Sequence, residues 1–180
     1  MAKKFELLLL DANIVIHLFK IGIWDKVVTQ CDIRLARTVV EEAHFYETDE
    51  GERVDFDLAP YVAAAQVHVF DVMPSDLVRF RRTFKTLFLE QMDPGETESL
   101  AWLLANPSEP RLCSADAIVF RVLGALGLAE RGISLEEILS QIGLGRALPH
   151  QFSRKFRERW TQKGFQEGLR GLGLKDFPLA

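Results

Sequence analysis

Positions 5 to 10 are apolar apart from Glu6 and end abruptly at Asp11, the pattern of a short strand covered on both faces, as strands of parallel sheets are. After Asp11 the spacing changes. Ile14 to Phe19 and Trp24 to Val28 read as short helices around a break at Gly22, Ile33 to Ala36 as a second strand, and a further helix begins near Thr38. Arg111 to Ser114 reads as a third strand, followed by an apolar helix from Ala117 to Leu126 that stops at Gly127. Strands alternating with helices predict an α/β chain, a three-layer α/β/α sandwich with a mainly parallel central sheet.

The stretch from Glu47 to Met92 is less regular. Val54 to Leu58 and Val67 to Val72 read as strands, and Ser75 as the cap of a helix whose apolar face is Phe80, Phe84, Leu87 and Phe88, with Arg79, Arg81, Arg82 and Lys85 largely elsewhere on the wheel. The tail repeats this design, with Phe152, Phe156 and Trp160 in a stripe flanked by Arg154, Lys155, Arg157, Arg159 and Lys163. Two capping boxes are legible, Ser134 with Glu137 and Asp93 with Glu96, the second having Pro94 at the first helical position.

Composition narrows the class only slightly. A chain of 180 residues, 48% hydrophobic, is enough for one domain with a real core and a small appendage. A net charge of -4 argues against coating nucleic acid by bulk electrostatics, but a local basic patch can still hold a backbone. Cys31 and Cys113 have no metal-ligand or Cys-x-x-Cys spacing and read as reduced and buried. The apolar run after Met1–Lys4 is too short for a signal peptide and no later run spans a membrane, so a cytoplasmic protein is expected. His17, His44, His68 and His150 are scattered without ligand spacing, and no phosphate-binding glycine loop or nucleophile elbow is present.

What stands out is the placement of acids. Asp11, Glu42, Glu98 and Asp116 each sit where a strand ends or a helix begins, and ligands of open α/β sheets bind beyond the carboxyl ends of the strands. Carboxylates gathered there repel one another unless a hard cation joins them, and Mg²⁺ or Mn²⁺ prefers such oxygen ligands. Each acid also has a local role open to it: Asp11 and Asp116 as helix caps, Glu96 inside its capping box. Glu41 and Glu42 lie about 100° apart on a helix, so both cannot face one crevice. Glu96 and Glu98 lie about 200° apart, and the two arguments conflict. The stripe of Leu100, Leu103 and Leu104 aligns with Glu96, whereas capping favours Glu98; Glu98 is preferred, with Glu96 retained as a metal-ligand candidate.

Taken in order, Leu-Leu-Leu-Asp-Ala-Asn (8 to 13), Thr-Val-Val-Glu-Glu (38 to 42), Asp-Pro-Gly-Glu-Thr-Glu-Ser-Leu-Ala (93 to 101) and Leu-Cys-Ser-Ala-Asp (112 to 116) resemble the PIN-domain family of metal-dependent ribonucleases, which includes toxins of toxin-antitoxin pairs. The resemblance implies a PIN-like nuclease domain over 1–130, with an insertion at about 47–92 and a helical extension over 131–180 packed on the same domain. It implies Asp11, Glu98 and Asp116 as metal ligands, Glu42 completing the cluster, and Asn13 and Ser114 orienting ligands and water. It further implies single-stranded RNA as substrate, Mg²⁺ or Mn²⁺ as cofactor, an antitoxin as partner for a toxin, and a homodimer. Gly-Ile-Ser (132 to 134) replaces the Gly-Thr of many relatives, so the edge strand there is expected to be short or absent.

Arg79, Arg82 and Lys85 are the expected phosphate contacts, against the alternative of a solvated helix face. The rival function is a catalytically silent PIN-like module that binds RNA or protein. A phosphatase with Asp11 as nucleophile ranks lower, because Asn13 stands where that chemistry wants a second aspartate.

Overall fold

The computed structural model describes residues 4–107 and 110–175. In chain order the elements are β1 (Phe5–Leu10), α1 (Ala12–Lys20), α2 (Trp24–Gln30), β2 (Cys31–Ala36), α3 (Arg37–Glu42), β3 (Phe45–Glu47), β4 (Arg53–Asp55), α4 (Ala59–Ala63), β5 (Val67–Phe70), α5 (Pro74–Thr83), α6 (Thr86–Leu89), α7 (Pro94–Ala105), β6 (Arg111–Cys113), α8 (Ala117–Ala125), β7 (Gly132–Ile133), α9 (Leu135–Gln141) and α10 (Arg154–Leu169). Five strands form an all-parallel sheet in the order β5-β2-β1-β6-β7, and β3 and β4 form a separate antiparallel hairpin. The expected α/β/α sandwich is the architecture found.

Parallel strands are buried on both faces because crossover helices cover them. Leu9, Leu10, Cys31, Ile33, Leu35, Leu112 and Cys113 are accordingly buried, and both cysteines are free thiols. Helix α2 lies on β2, α7 reaches across β2 and β6, and α10 packs on α8 and β7. The α8–α10 contact is backbone to backbone: a Cβ on Gly164 would stand 2.0 Å from the Arg121 carbonyl oxygen, and one on Gly124 2.0 Å from that of Thr161. Among the described residues no helix is long and apolar enough to cross a membrane.

Several expectations need correcting. The segment 47–92 is not a bare insertion, since β5 pairs with β2 and forms one edge of the main sheet. Likewise 131–180 is not only a helical extension, because β7 pairs with β6 and forms the other edge; residues 176–180 lie outside the described residues. That edge strand is only two residues long, short as expected. Val54–Leu58 shortens to β4, which pairs with β3 in the hairpin. Ser75 does not cap α5, because Pro74 occupies the first helical position and Met73 precedes it. The helix expected to carry Phe80 through Phe88 breaks at Phe84, which is extended (φ -108°, ψ 151°) and bridges to Leu174, while the Lys85 N–H donates to the Gly173 carbonyl at 2.7 Å. Pairing with a distant segment overrides the local helical spacing, and it leaves Leu87 exposed. In the tail, Phe152 sits in a turn ahead of α10, and Ser153 caps the helix by accepting from Phe156 N–H.

A candidate carboxylate site at the switch point of the sheet

The chain leaves β1 toward β2 and leaves β6 toward β7 on the opposite side, so the two following loops diverge and open a crevice beyond the carboxyl ends of these neighbouring strands. Asp11 is the first residue past β1, and Ser114 to Asp116 follow β6. The Asp11 N–H donates to the Cys113 carbonyl at 3.4 Å, which holds the two strand ends together.

Asp11 caps α1. Its Oδ1 accepts from Ile14 N–H at 3.0 Å and its Oδ2 from Ala115 N–H at 3.2 Å, and the Ser114 hydroxyl bonds the same carboxylate. Ser114 is fully buried and its Oγ accepts from Asp116 N–H at 2.9 Å; Asp116, half-buried, caps α8 through Ile118 N–H at 3.0 Å. Three donors would ordinarily depress a carboxyl pKa, yet burial outweighs them at Asp11, and with the nearby charge of Asp93 the pKa is pushed up to about 6.

The start of α7 brings the next acids in. Its capping box is formed as expected, with Glu96 N–H donating to Asp93 Oδ1 at 2.7 Å and Asp93 N–H donating to Glu96 Oε2 at 3.0 Å. Glu96 is only 5% exposed. Burial is the main cause that raises its pKa to about 8, and the charges of Asp93, Asp116 and Asp11 add to it. Glu98, about 200° further round the helix, accepts from the Thr38 hydroxyl at 2.9 Å and faces Glu42 instead. Glu96 is thus the α7 acid beside Asp11 and Asp116, the reverse of the preferred assignment. Capping and inward orientation had seemed to be alternatives for Glu96, but one side chain does both. The start of α7 packs closely on α3 at Gly95: a Cβ there would lie 3.1 Å from Val39 Cγ2, so a larger residue would require Val39 to give by a few tenths of an ångström.

Glu42, exposed at the end of α3, has its pKa raised by partial burial and then by the charges of Asp93, Glu98 and Glu41. The acids therefore fall into two groups, Asp11 with Glu96 and Asp116, and Glu42 with Glu98. Asp93 acts on both. Sequence reasoning took Asp93 for a cap alone; the missed signal was that its partner in the box, Glu96, was itself a site candidate. Among the described residues none of these acids has a basic partner within ion-pair distance, and Arg37, just past β2, is committed to Asp71 at 2.6 and 2.7 Å.

The four acids expected around one ion are not assembled about a single point: among the described residues no group of three or more His, Cys, Asp or Glu side chains is placed to hold a metal ion. The donor set fits a hard cation bound through one or two carboxylates and water, the usual habit of Mg²⁺, and does not fit a fully caged ion.

Asn13 is exposed on α1 and lines a groove of about 640 Å³ that runs from Ala115 to Lys20. The expected phosphate contacts lie elsewhere. Arg79 borders Leu104 and Ala105, about 12 Å along the α7 axis from Glu96, and reaches Asp76 at 3.7 Å. Arg82 is exposed on the same helix, and the Lys85 ammonium donates to the Gly171 carbonyl at 2.9 Å. The basic residue on the groove is Lys20, seven positions after Asn13 and on the same face of α1, a spacing the sequence could have disclosed. No family model, curated protein or solved structure matches this chain.

Proposed function

We propose that this chain is a divalent-metal-dependent endoribonuclease of PIN-like type that cleaves phosphodiester bonds of single-stranded RNA. One observation carries the reading: two buried carboxyls, Asp11 and Glu96, lie beside Asp116 at the switch point of a parallel sheet with no basic partner among the described residues. Buried charges of one sign are costly unless paired, and pKa values displaced in this way cluster at functional sites. Mg²⁺ or Mn²⁺ bound there supplies positive charge against the crowded phosphoryl oxygens and acidifies an attacking water.

The side chains have separable roles in this reading. Glu96 and Asp116 would hold the ion through one or two carboxylate oxygens and water, and Asp11, kept in place by Ile14, Ser114 and Ala115, would orient that water beside them. Glu42 and Glu98 lie on the outer side, where they orient water or accept its proton; Thr38 holds Glu98 in place. Asn13 stands on the rim. As a toxin the protein would require an antitoxin that presents a basic side chain to the carboxylates, and a homodimer is the expected assembly.

The test is cleavage of mixed single-stranded RNAs with Mg²⁺ or Mn²⁺, against EDTA and against Asp116→Asn and Glu96→Gln. Metal-dependent cleavage lost in both variants is expected; equal cleavage by wild type and variants rules out this site. A second reading, a PIN-like module that binds RNA or protein without cutting, is favoured by the absence of a three-ligand group among the described residues. Mn²⁺ titration separates the two. Saturable binding that is weakened in Glu96→Gln supports the enzyme, and no binding supports the module.

A further inference from the structure

We infer that the groove beside Asp11 is the subsite for the nucleotide next to the cleaved bond, with Lys20 on its phosphate and the Asn13 and Gln151 amides on its base. This rests on the endoribonuclease reading and names the residues that set its sequence preference. The groove begins at the site itself: Ala115, whose N–H holds Asp11 Oδ2, forms one end, and Asn13, two residues past Asp11, forms the adjoining wall. A strand lying across the carboxylates continues into it.

The lining suits a nucleotide. His17 stacks on the buried ring of Phe152 with centroids 4.1 Å apart, and both residues line the groove. His17 Nε2 is itself buried and has no hydrogen-bond partner among the described residues, so the ring contributes its face and not its edge. Bases of single-stranded RNA are commonly held on aromatic faces and read along their exposed edges. Asn13 and Gln151 are exposed carboxamides, each presenting a donor and an acceptor side by side, the arrangement that pairs with two atoms of one base edge.

Lys20 completes the subsite. Its ammonium pairs with Asp49 at 2.8 Å, and the Asp49 side chain is 88% exposed on the turn between β3 and β4. Such a surface pair contributes little, so a phosphate can replace the Asp49 carboxylate at small cost. In the free protein Asp49 occupies the place of that phosphate and competes with it.

This competition gives a test with opposite signs. Affinity for a fluorescein-labelled single-stranded RNA is measured by anisotropy in EDTA, over a range of salt, so that binding is read without cleavage. Lys20→Ala is expected to weaken binding and to reduce the slope of log affinity against log salt by about 0.7, the loss of one phosphate contact on a single strand. Asp49→Asn is expected to tighten binding, whereas Glu50→Gln, the same charge change one residue on, leaves it near wild type. Gln151→Ala is expected to flatten the base preference at one position of cleaved RNA pools by about fivefold or more. If wild type cleaves RNA but Lys20→Ala and Asp49→Asn do not shift affinity in opposite directions, the subsite is wrong and the nuclease stands. If wild type neither binds nor cleaves RNA with either metal, the endoribonuclease reading fails with it.

Discussion

Replacing Glu96 by Gln keeps the shape of the capping box, since a glutamine at the third helical position can still accept from Asp93 N–H, and removes only the charge. The carboxyl it replaces has a pKa moved from 4.5 to about 8. At ~1.4 kcal/mol per unit, ionising it within the fold costs about 5 kcal/mol, a ceiling because the side chain can move toward the exposed Asp93 and regain water. The folded state keeps the proton across a range in which the unfolded state has lost it, so stability is full below the unfolded pKa and falls as pH rises through the folded one. Asp11 contributes with the same sign, but only up to its pKa of about 6. Above about pH 6.5 the slope therefore belongs mainly to Glu96, and urea unfolding in EDTA should show wild type losing about 2 kcal/mol between about pH 6.5 and about pH 9. Glu96→Gln should be nearly flat over that interval and more stable than wild type at its upper end. Adding Mn²⁺ at high pH should recover stability in wild type more than in the variant. A variant with the wild-type slope, or one less stable than wild type at about pH 9, would refute the claim that Glu96 is an unpaired buried acid.

Gly164→Ala forces a Cβ onto the Arg121 carbonyl and should lower stability by about 3 kcal/mol or more in thermal unfolding, whereas Leu169→Ala, at an exposed position of the same helix, should cost about 0.5 kcal/mol or less; equal losses would mean that α8 and α10 can part easily. Arg157→Ala strips Glu137 of a two-point pair at 2.8 and 2.9 Å and should cost about 1–3 kcal/mol near neutral pH. Because the fold depresses the Glu137 pKa, despite its burial, that loss should shrink as pH falls toward and below the ordinary value of 4.5, a trend that acid titration of both proteins would check. Thr38→Val should lower the cleavage rate at saturating Mn²⁺ by about tenfold and Thr38→Ser should restore it, with the lost hydrogen bond to the Glu98 carboxylate costing ~1.5 kcal/mol; no change in Thr38→Val would place Glu98 outside the chemistry.

The parts of the fold that sequence disclosed are those whose partners are supplied by a repeating local pattern. β1, β2 and β6 announce themselves as apolar runs because both faces of a parallel strand are covered, and the capping boxes at Asp93 and Ser134 are complete within four residues. What could not be read is set by contacts between distant segments. Phe84 follows helical spacing but is drawn out by Leu174, and β7 is too short to show any period. The same division runs through the site. Asp11 and Asp116 were legible as acids at strand ends, whereas the choice between Glu96 and Glu98 depends on how α7 packs on α3, which no local argument contains. Asp93 was hidden by an ordinary structural role that it also performs.

The bonds made by Asp11 have a bearing on mutational scans. One carboxylate ties the first turn of α1 to the loop after β6, each oxygen serving a different element. Asparagine, the customary silent replacement, would point an amide donor at one of the two backbone donors and leave that N–H unanswered. Intolerance at position 11 would thus report a broken clasp between two halves of the sheet as readily as a missing ligand, and chemical inference is cleaner from substitutions at positions 96 and 116.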